Sequence, residues 1–167
     1  MSIEALRTPT LLGATITLGL ATGTFALYAH TIMPGLQRTD DRTFVGAFQS
    51  IDRAIINPWF IGATFLGALA LTSLAAFTNH GQRAFPWIVA ALIAYLATAA
   101  ITITVHVPLN DAIKAAGDPN KMANLALIRT AFNETRWATW NLVRVATSTI
   151  AFTSCAWALI LHGRSTA

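Results

Sequence analysis

The residues best equipped for chemistry lie in two short stretches. The first, His106-Val107-Pro108-Leu109-Asn110-Asp111, ends an apolar run in an imidazole, a proline, an amide and a carboxylate. The second runs from Trp137 to Arg144 and carries Trp140 and Asn141 between them. An imidazole can exchange a proton near neutral pH, an amide both donates and accepts hydrogen bonds, and a guanidinium keeps a fixed positive charge. Together they suit a site that binds the polar part of a small molecule and handles a proton. His30 and His106 fall in different segments, without i,i+4 pairing or a Glu-x-x-His motif, so no metal site is expected. Cys155 is the only cysteine, which excludes an intrachain disulfide and any metal centre built from several thiolates.

Such residues need a scaffold, and composition names its solvent. Hydrophobic residues make up 54% of the chain and charged residues only 11%, a membrane-like balance. Thr10 to Met33, Trp59 to Phe77 and Phe85 to Val107 contain no Asp, Glu, Lys or Arg. Each is close to or above the ~20 residues that span ~30 Å of hydrocarbon. Val145 to Leu161 reaches that length once Trp140 to Arg144 are included. The expected fold is therefore all-α, a single integral membrane domain with transmembrane helices at about 10–33, 59–77, 85–107 and 138–161. The first run is too long for a signal-peptide core and lacks a convincing cleavage site, so it counts as a helix. The net charge of +4 carries no nucleic-acid signature.

Two connecting regions are also helical in pattern. Phe44, Phe48, Ile51 and Ile55 recur at helical spacing within about 40–56, with Arg42, Gln49, Asp52 and Arg53 off that stripe. This amphipathic helix either floats in the headgroup layer or folds down as a cap. Further helices are expected over about 108–136, with Pro108 opening one of them, Gly117 stopping it, and a joint near Asn133. Pro34-Gly35 is expected to end the first span, and Gly19 and Gly23 to allow close helix approach.

Periodicity indicates which side chains share a face. Thr17, Thr24, Tyr28 and Thr31 align on the first helix, and Tyr95, Thr98, Thr102 and His106 on the third. Arg129, Asn133, Arg136, Trp137, Trp140, Asn141, Arg144 and Ser148 occupy a sector of roughly 140°. Arg144 could snorkel to the headgroups, but polar neighbours on its own face favour an inward, hydrogen-bonded position. Four alternating spans bring His30, Asn57, His106, Asn110, Asn141 and Arg144 to one mouth, roofed by both long connections, a usual setting for a small-molecule site. The plainer reading is that His30 and His106 anchor helix ends at the interface. Likewise, Asn110 would cap a turn, and Asn141 and Gln49 would be helix-to-helix hydrogen bonds. His80 and His162 belong to the opposite side, as surface residues.

The mouth side also holds most of the Lys and Arg, which points to a multi-pass protein of the plasma (inner) membrane with a cytoplasmic mouth. Expected partners are membrane lipids, a small hydrophobic molecule and further copies of the chain in a homo-oligomer. Besides a small-molecule enzyme, an accessory subunit and a transporter of protons or small solutes fit this architecture. The lack of an internal repeat or mid-span break counts against transport.

Met33-Pro34-Gly35-Leu36, Phe48-Gln49-x-Ile51 with Asn57-Pro58, Val107-Pro108-Leu109-Asn110 and Trp137-x-x-x-Asn141-x-x-Arg144 resemble the anthrone-oxygenase-like family of small four-helix membrane proteins. The resemblance covers most of the chain. It implies an oxidoreductase that converts an anthrone to an anthraquinone with molecular oxygen as co-substrate and no other cofactor. On that reading His106 is the base, Arg144 and Asn141 are oxyanion donors, and Asn110 is an orienting amide. Trp137 and Trp140 form an apolar wall, with Tyr28, His30, Gln49 and Asn57 as further substrate contacts.

Overall fold

The computed structural model describes residues 2–166, leaving out the side chains of residues 165 and 166. Among the described residues there are helices and connecting turns but no strand. Four helical runs are long and apolar enough to cross a membrane: α1 (Ile3–Leu36), α3 (Pro58–Thr78), α4 (Phe85–Ala115) and a last run over Leu125–Arg164. Between the first two lies α2 (Asp41–Ile55). The last run is divided into α5 (Leu125–Phe132) and α6 (Glu134–Thr166). These are the dimensions of a multi-pass membrane protein.

Around the bundle α1 packs on α3 and α6, and α6 packs on α4. The fourth side, α3 against α4, is looser, and its contact lies between Gly67–Thr78 and Phe85–Ile101. Close approach depends on small residues. A Cβ on Gly13 would meet a Leu71 methyl at 3.2 Å, and one on Gly19 would meet the Phe152 ring at 3.1 Å, whereas Gly23 faces open space. The Gly19-x-x-x-Gly23 pair therefore does not act as a two-glycine helix contact, since only one of its members lies against a neighbour.

Pro34-Gly35 ends the first span as expected, at Leu36, but Pro108 does not stop its helix, which runs on to Ala115. In both places the turn just before the proline widens to an i→i+5 hydrogen bond, from Met33 N–H to the Tyr28 carbonyl and from Val107 N–H to the Thr102 carbonyl. A proline ring normally strikes the carbonyl four residues back and removes a donor. A widened turn accommodates it and lets the helix run on. α3 starts with the same kind of winding over Pro58–Leu66.

α2 is the element that folds down as a cap. Its start is fixed by Asp40, whose Oδ1 accepts from Thr43 N–H at 2.8 Å. Phe44, Val45, Phe48, Gln49 and Asp52 are buried, at i, i+1, i+4, i+5 and i+8. Phe44 and Phe48 close on Phe132 of α5, with ring centroids 5.8 and 4.5 Å apart. Arg129 ties this cap together, lying 4.4 Å over Phe44 while bonding Asp41, Glu134 and the Thr39 carbonyl. α5 and α6 join at Asn133, the one non-glycine among the described residues with positive φ (54°). Its Oδ1 accepts from Arg136 N–H at 3.1 Å, so the side chain that tolerates the left-handed turn also caps α6. At the far end His162 is buried, with Nε2 2.9 Å from Thr8 Oγ1, and is not the surface residue expected.

Candidate functional site

The widened turns of α1 and α4 set Tyr28 and His106 at the same level, where the inner face of α2, the start of α3 and the start of α6 also converge. Between these elements lies a cavity of about 350 Å³, lined mainly by apolar and aromatic side chains, among them Phe25, Tyr28, Phe48, Phe60, Phe65 and Trp137. Its polar residues form two groups.

One group is a hydrogen-bonded seam. The Trp137 indole N–H donates to Asn110 Oδ1 at 2.8 Å, and the Asn110 amide donates to Asp52 Oδ1 at 2.6 Å. Asp52 Oδ2 then meets Lys114 Nζ at 2.8 Å, and the ammonium also reaches Asp111 at 3.1 Å. The seam links a buried indole to a partly exposed ion pair. It fixes the Asn110 amide at both ends, since its oxygen can only accept from Trp137 and its nitrogen can only donate to Asp52.

The other group surrounds Arg144, which is 6% exposed. The guanidinium donates to Asn141 Oδ1 at 2.7 Å and to Thr102 Oγ1 at 3.3 Å, and lies 4.5 Å over Phe25 and 5.5 Å over Trp137. Asn141 is itself anchored, donating to the Phe25 carbonyl at 3.1 Å. Every ion pair among the described residues involves Arg7, Lys114 or Arg129, so Arg144 has no carboxylate partner. Its Nε also lacks a hydrogen-bond partner. A buried cation compensated only by neutral dipoles and ring faces retains a strong field for an anion, because low-dielectric walls screen it poorly.

His106 lies beside this group, with its ring edge-on to Trp137 at 5.0 Å. Nδ1 is 3.4 Å from the Ile101 carbonyl, which can only accept, so this contact selects the Nδ1–H tautomer. Nε2 is then left with a lone pair; it is enclosed and has no partner. Among the described residues no three His, Cys, Asp or Glu side chains gather as metal ligands.

The expected site residues therefore divide. Tyr28, His106, Asn110, Trp137 and Arg144 line the cavity, and Asn141 stands behind Arg144. Four others lie outside its wall. His30 is exposed and pairs with Thr31 at 2.6 Å, and Trp140 is 38% exposed. Asn57 caps α3 by accepting from Phe60 N–H at 2.9 Å. Gln49 is buried but committed to structure, donating to the Ile113 and Gly117 carbonyls at 2.8 and 3.0 Å and so pinning α2 to α4. Sequence reasoning missed Asp52, Lys114, Phe25 and Thr102 as neighbours of the site. Thr102 had a signal, since it sits on the face that leads to His106. Asp52 had one too, one turn past Gln49 on a helix whose role as a cap was open.

The result is a membrane-type helical bundle with an aromatic-walled cavity at one end, and on its wall a buried guanidinium without a carboxylate partner beside an imidazole. The model of the anthrone oxygenase family matches residues 57–154, well over half of the chain, and the protein belongs to that family. The matched region contains Thr102, His106, Asn110, Trp137 and Arg144, while Tyr28, Phe48 and Asp52 come from elements before it. No curated protein and no solved structure matches the chain.

Proposed function

We propose that the protein is a membrane-embedded oxidoreductase that oxidises a small aromatic ketone of the anthrone type with molecular oxygen. The observation that carries the reading is Arg144, a guanidinium without a counter-ion on the wall of an aromatic cavity.

An anthrone has an acidic CH₂ opposite its ketone. Transfer of one of these protons to His106 Nε2 leaves an enolate whose negative charge rests largely on oxygen. Arg144 supplies a preorganised cationic donor for that oxyanion, held by Asn141 and Thr102. The enolate carbon gives its electrons to oxygen, the peroxide anion so formed takes back the proton held by His106, and the resulting hydroperoxide loses water to form the second carbonyl. One anthrone and one O₂ thus yield one anthraquinone and one H₂O. The enolate is electron-rich enough to react with oxygen directly, so the chemistry calls for no resident cofactor. Asn110, fixed between Trp137 and Asp52, orients the ring system, and Phe25, Tyr28, Phe48 and Trp137 enclose it. Because Nε2 is enclosed, the substrate reaches it only through a change in the wall beside His106. The excess of Lys and Arg at this end of the bundle favours a cytoplasmic mouth in the plasma (inner) membrane.

The test is oxygen uptake by the purified protein in phospholipid vesicles supplied with 1,8-dihydroxyanthrone, corrected for spontaneous oxidation. One O₂ per anthrone is expected. Arg144→Met should lower the rate by about 10²–10³-fold, the usual effect of deleting an oxyanion donor. His106→Ala should lower it by about 10²-fold or more, as for loss of a general base. Wild-type rates in both variants, with intact folding, would remove the mechanism.

A further inference from the structure

Two walls of the cavity differ in a way the reaction does not require. Toward the mouth it is roofed by the cap, where Phe48 is 2% exposed and Lys114, Asp52 and Asn110 are locked in one seam, while Ile56 and Asp111 line the void and are exposed at the cap's edge. Toward the α3–α4 side it is lined by Ile61, Leu66, Ile103 and Val107, which are also 36%, 51%, 62% and 43% exposed on the outer surface. Side chains that both line a void and face outward mark its opening. The opening coincides with the loosest side of the bundle: Pro58–Leu66 packs chiefly on α1, and it meets α4 where Phe65 bonds and packs on Tyr95, beyond which the main α3–α4 contact runs from Gly67.

Depth sets what lies outside that opening. Trp59, 69% exposed at the start of α3, has the placement of an interfacial anchor. Leu66 is seven residues further along the same helix, and so lies deeper. Ile103 lies within the apolar run of α4. The rim from Leu66 to Ile103 therefore faces hydrocarbon and is aliphatic, and it turns polar only toward the mouth, at Asp111, which is paired with Lys114.

We infer that the cavity is loaded sideways, from the bilayer, through the cleft between α3 and α4, and that its ligands are neutral, lipid-dissolved aromatic molecules. This rests on the reading of the cavity as a site for a small aromatic compound, and it adds a route and a selection rule. A neutral polycyclic ketone concentrates in the hydrocarbon layer, reaches the cleft by lateral diffusion, and meets Arg144 only after leaving the lipid. A compound already ionised in water meets an ion-paired cap on one side and lipid on the other. The guanidinium thus acts on charge that develops inside, and the aliphatic rim screens out charge formed beforehand.

The experiment uses the full chain in phosphatidylcholine vesicles with benzophenone as a neutral photoreactive probe and a sulfonated, membrane-impermeant benzophenone as its charged counterpart. Mass spectrometry compares label on Phe25, Phe48 and Phe65 with label on the outward-facing Leu142 and Ile150. With the neutral probe the cavity wall should be labelled in the wild type. The ratio of cavity to outward label should fall several-fold in Leu66→Trp/Ile103→Trp and rise in Leu66→Ala/Ile103→Ala. Leu142→Trp, bulky but away from the cleft, should leave the cavity label unchanged. An unlabelled wild-type cavity would overturn the inference. So would a ratio indifferent to both plugging and widening, or equal cavity labelling by the sulfonated probe. Oxygen uptake on the same samples separates the two readings. Portal-dependent labelling without anthrone oxidation sinks the oxygenase alone, whereas oxidation with portal-independent labelling sinks the route alone.

Discussion

Between α1, α3, α4 and α6 the buried residues are mostly small or slender, such as Ala14, Ala21, Ala68, Ala91, Ala151 and Cys155, with Leu11, Leu18 and Ile88 among them. Beneath α2 they are large and often aromatic: Tyr28, Met33, Phe44, Phe48, Phe132 and Trp137. The two cores answer to different solvents. Within hydrocarbon, a leucine gains little by leaving lipid for protein, so helices associate through close backbone approach and hydrogen bonds, and small residues serve best. α2 exposes Arg42, Thr43, Ser50 and Arg53 on its outer face, the composition of a water-facing surface, so burying a ring beneath it recovers about 25 cal/mol per Å² of apolar surface. The cavity sits at the junction, walled by Tyr28, Phe48 and Trp137 of the capped core and by Phe25, Phe60 and Phe65 of the bundle core.

If the two cores are separate in this sense, they should fail separately. The largest effect is expected from Phe132→Ala, which removes the ring that Phe44 and Phe48 both close upon. Losses of this kind cost about 3–5 kcal/mol. Hydrogen exchange should show lost protection in α2 and α5 and unchanged protection over Leu11–Ala21, together with loss of ligand binding. A uniform fall through the bundle would mean that cap and bundle unfold as one unit. Ala68→Leu should give the converse at smaller scale. Forcing a larger side chain into a fully buried position costs about 1–3 kcal/mol, and thermal unfolding should come earlier with the cap's own protection retained until the bundle opens.

The smallest effect concerns pH at the start of the cap. Asp40 is exposed, yet the backbone N–H of Thr43 bonds its carboxylate and holds it below the usual carboxylate range. A group whose pKa is depressed by folding contributes stability above its unfolded value, about 3.9 for Asp, and loses it as pH falls through the folded value. Protection factors in the first turn of α2 should therefore be level at neutral pH and decline below about pH 4. Asp40→Asn keeps the cap without the charge, so its protection should match the wild type at pH 7 and stay flat in acid.

Much of this organisation is legible in the sequence, and the parts that are not have physical reasons. The four apolar spans, the amphipathic helix after the first, and the inward position of Arg144 follow from length, periodicity and the polar residues sharing Arg144's face. Gln49 reads from the sequence as a helix-to-helix hydrogen bond, though without its partners, whereas Asp52, off the apolar stripe of an amphipathic helix, reads as solvent-facing. Only the tertiary structure supplies the Ile113 and Gly117 carbonyls and the Asn110 amide that turn them inward. Pro108 reads as a stop because the rule about proline assumes regular winding, whereas the turn that precedes it is widened. His30, Asn57 and Trp140 were correctly brought to one end of the bundle, but sharing an end does not fix which way a side chain points.

Two of the contacts between helices have one more consequence. Tyr95 donates to the Phe65 carbonyl at 3.1 Å, and Asn141 to that of Phe25, so two helix pairs are fastened to main-chain oxygen at the very residues whose rings form the wall. A carbonyl survives any replacement of the side chain it belongs to. Phe25 and Phe65 can therefore be exchanged for narrower or broader residues without unhooking the helices, and the chamber can be recut for a ring system of another size on an unchanged frame.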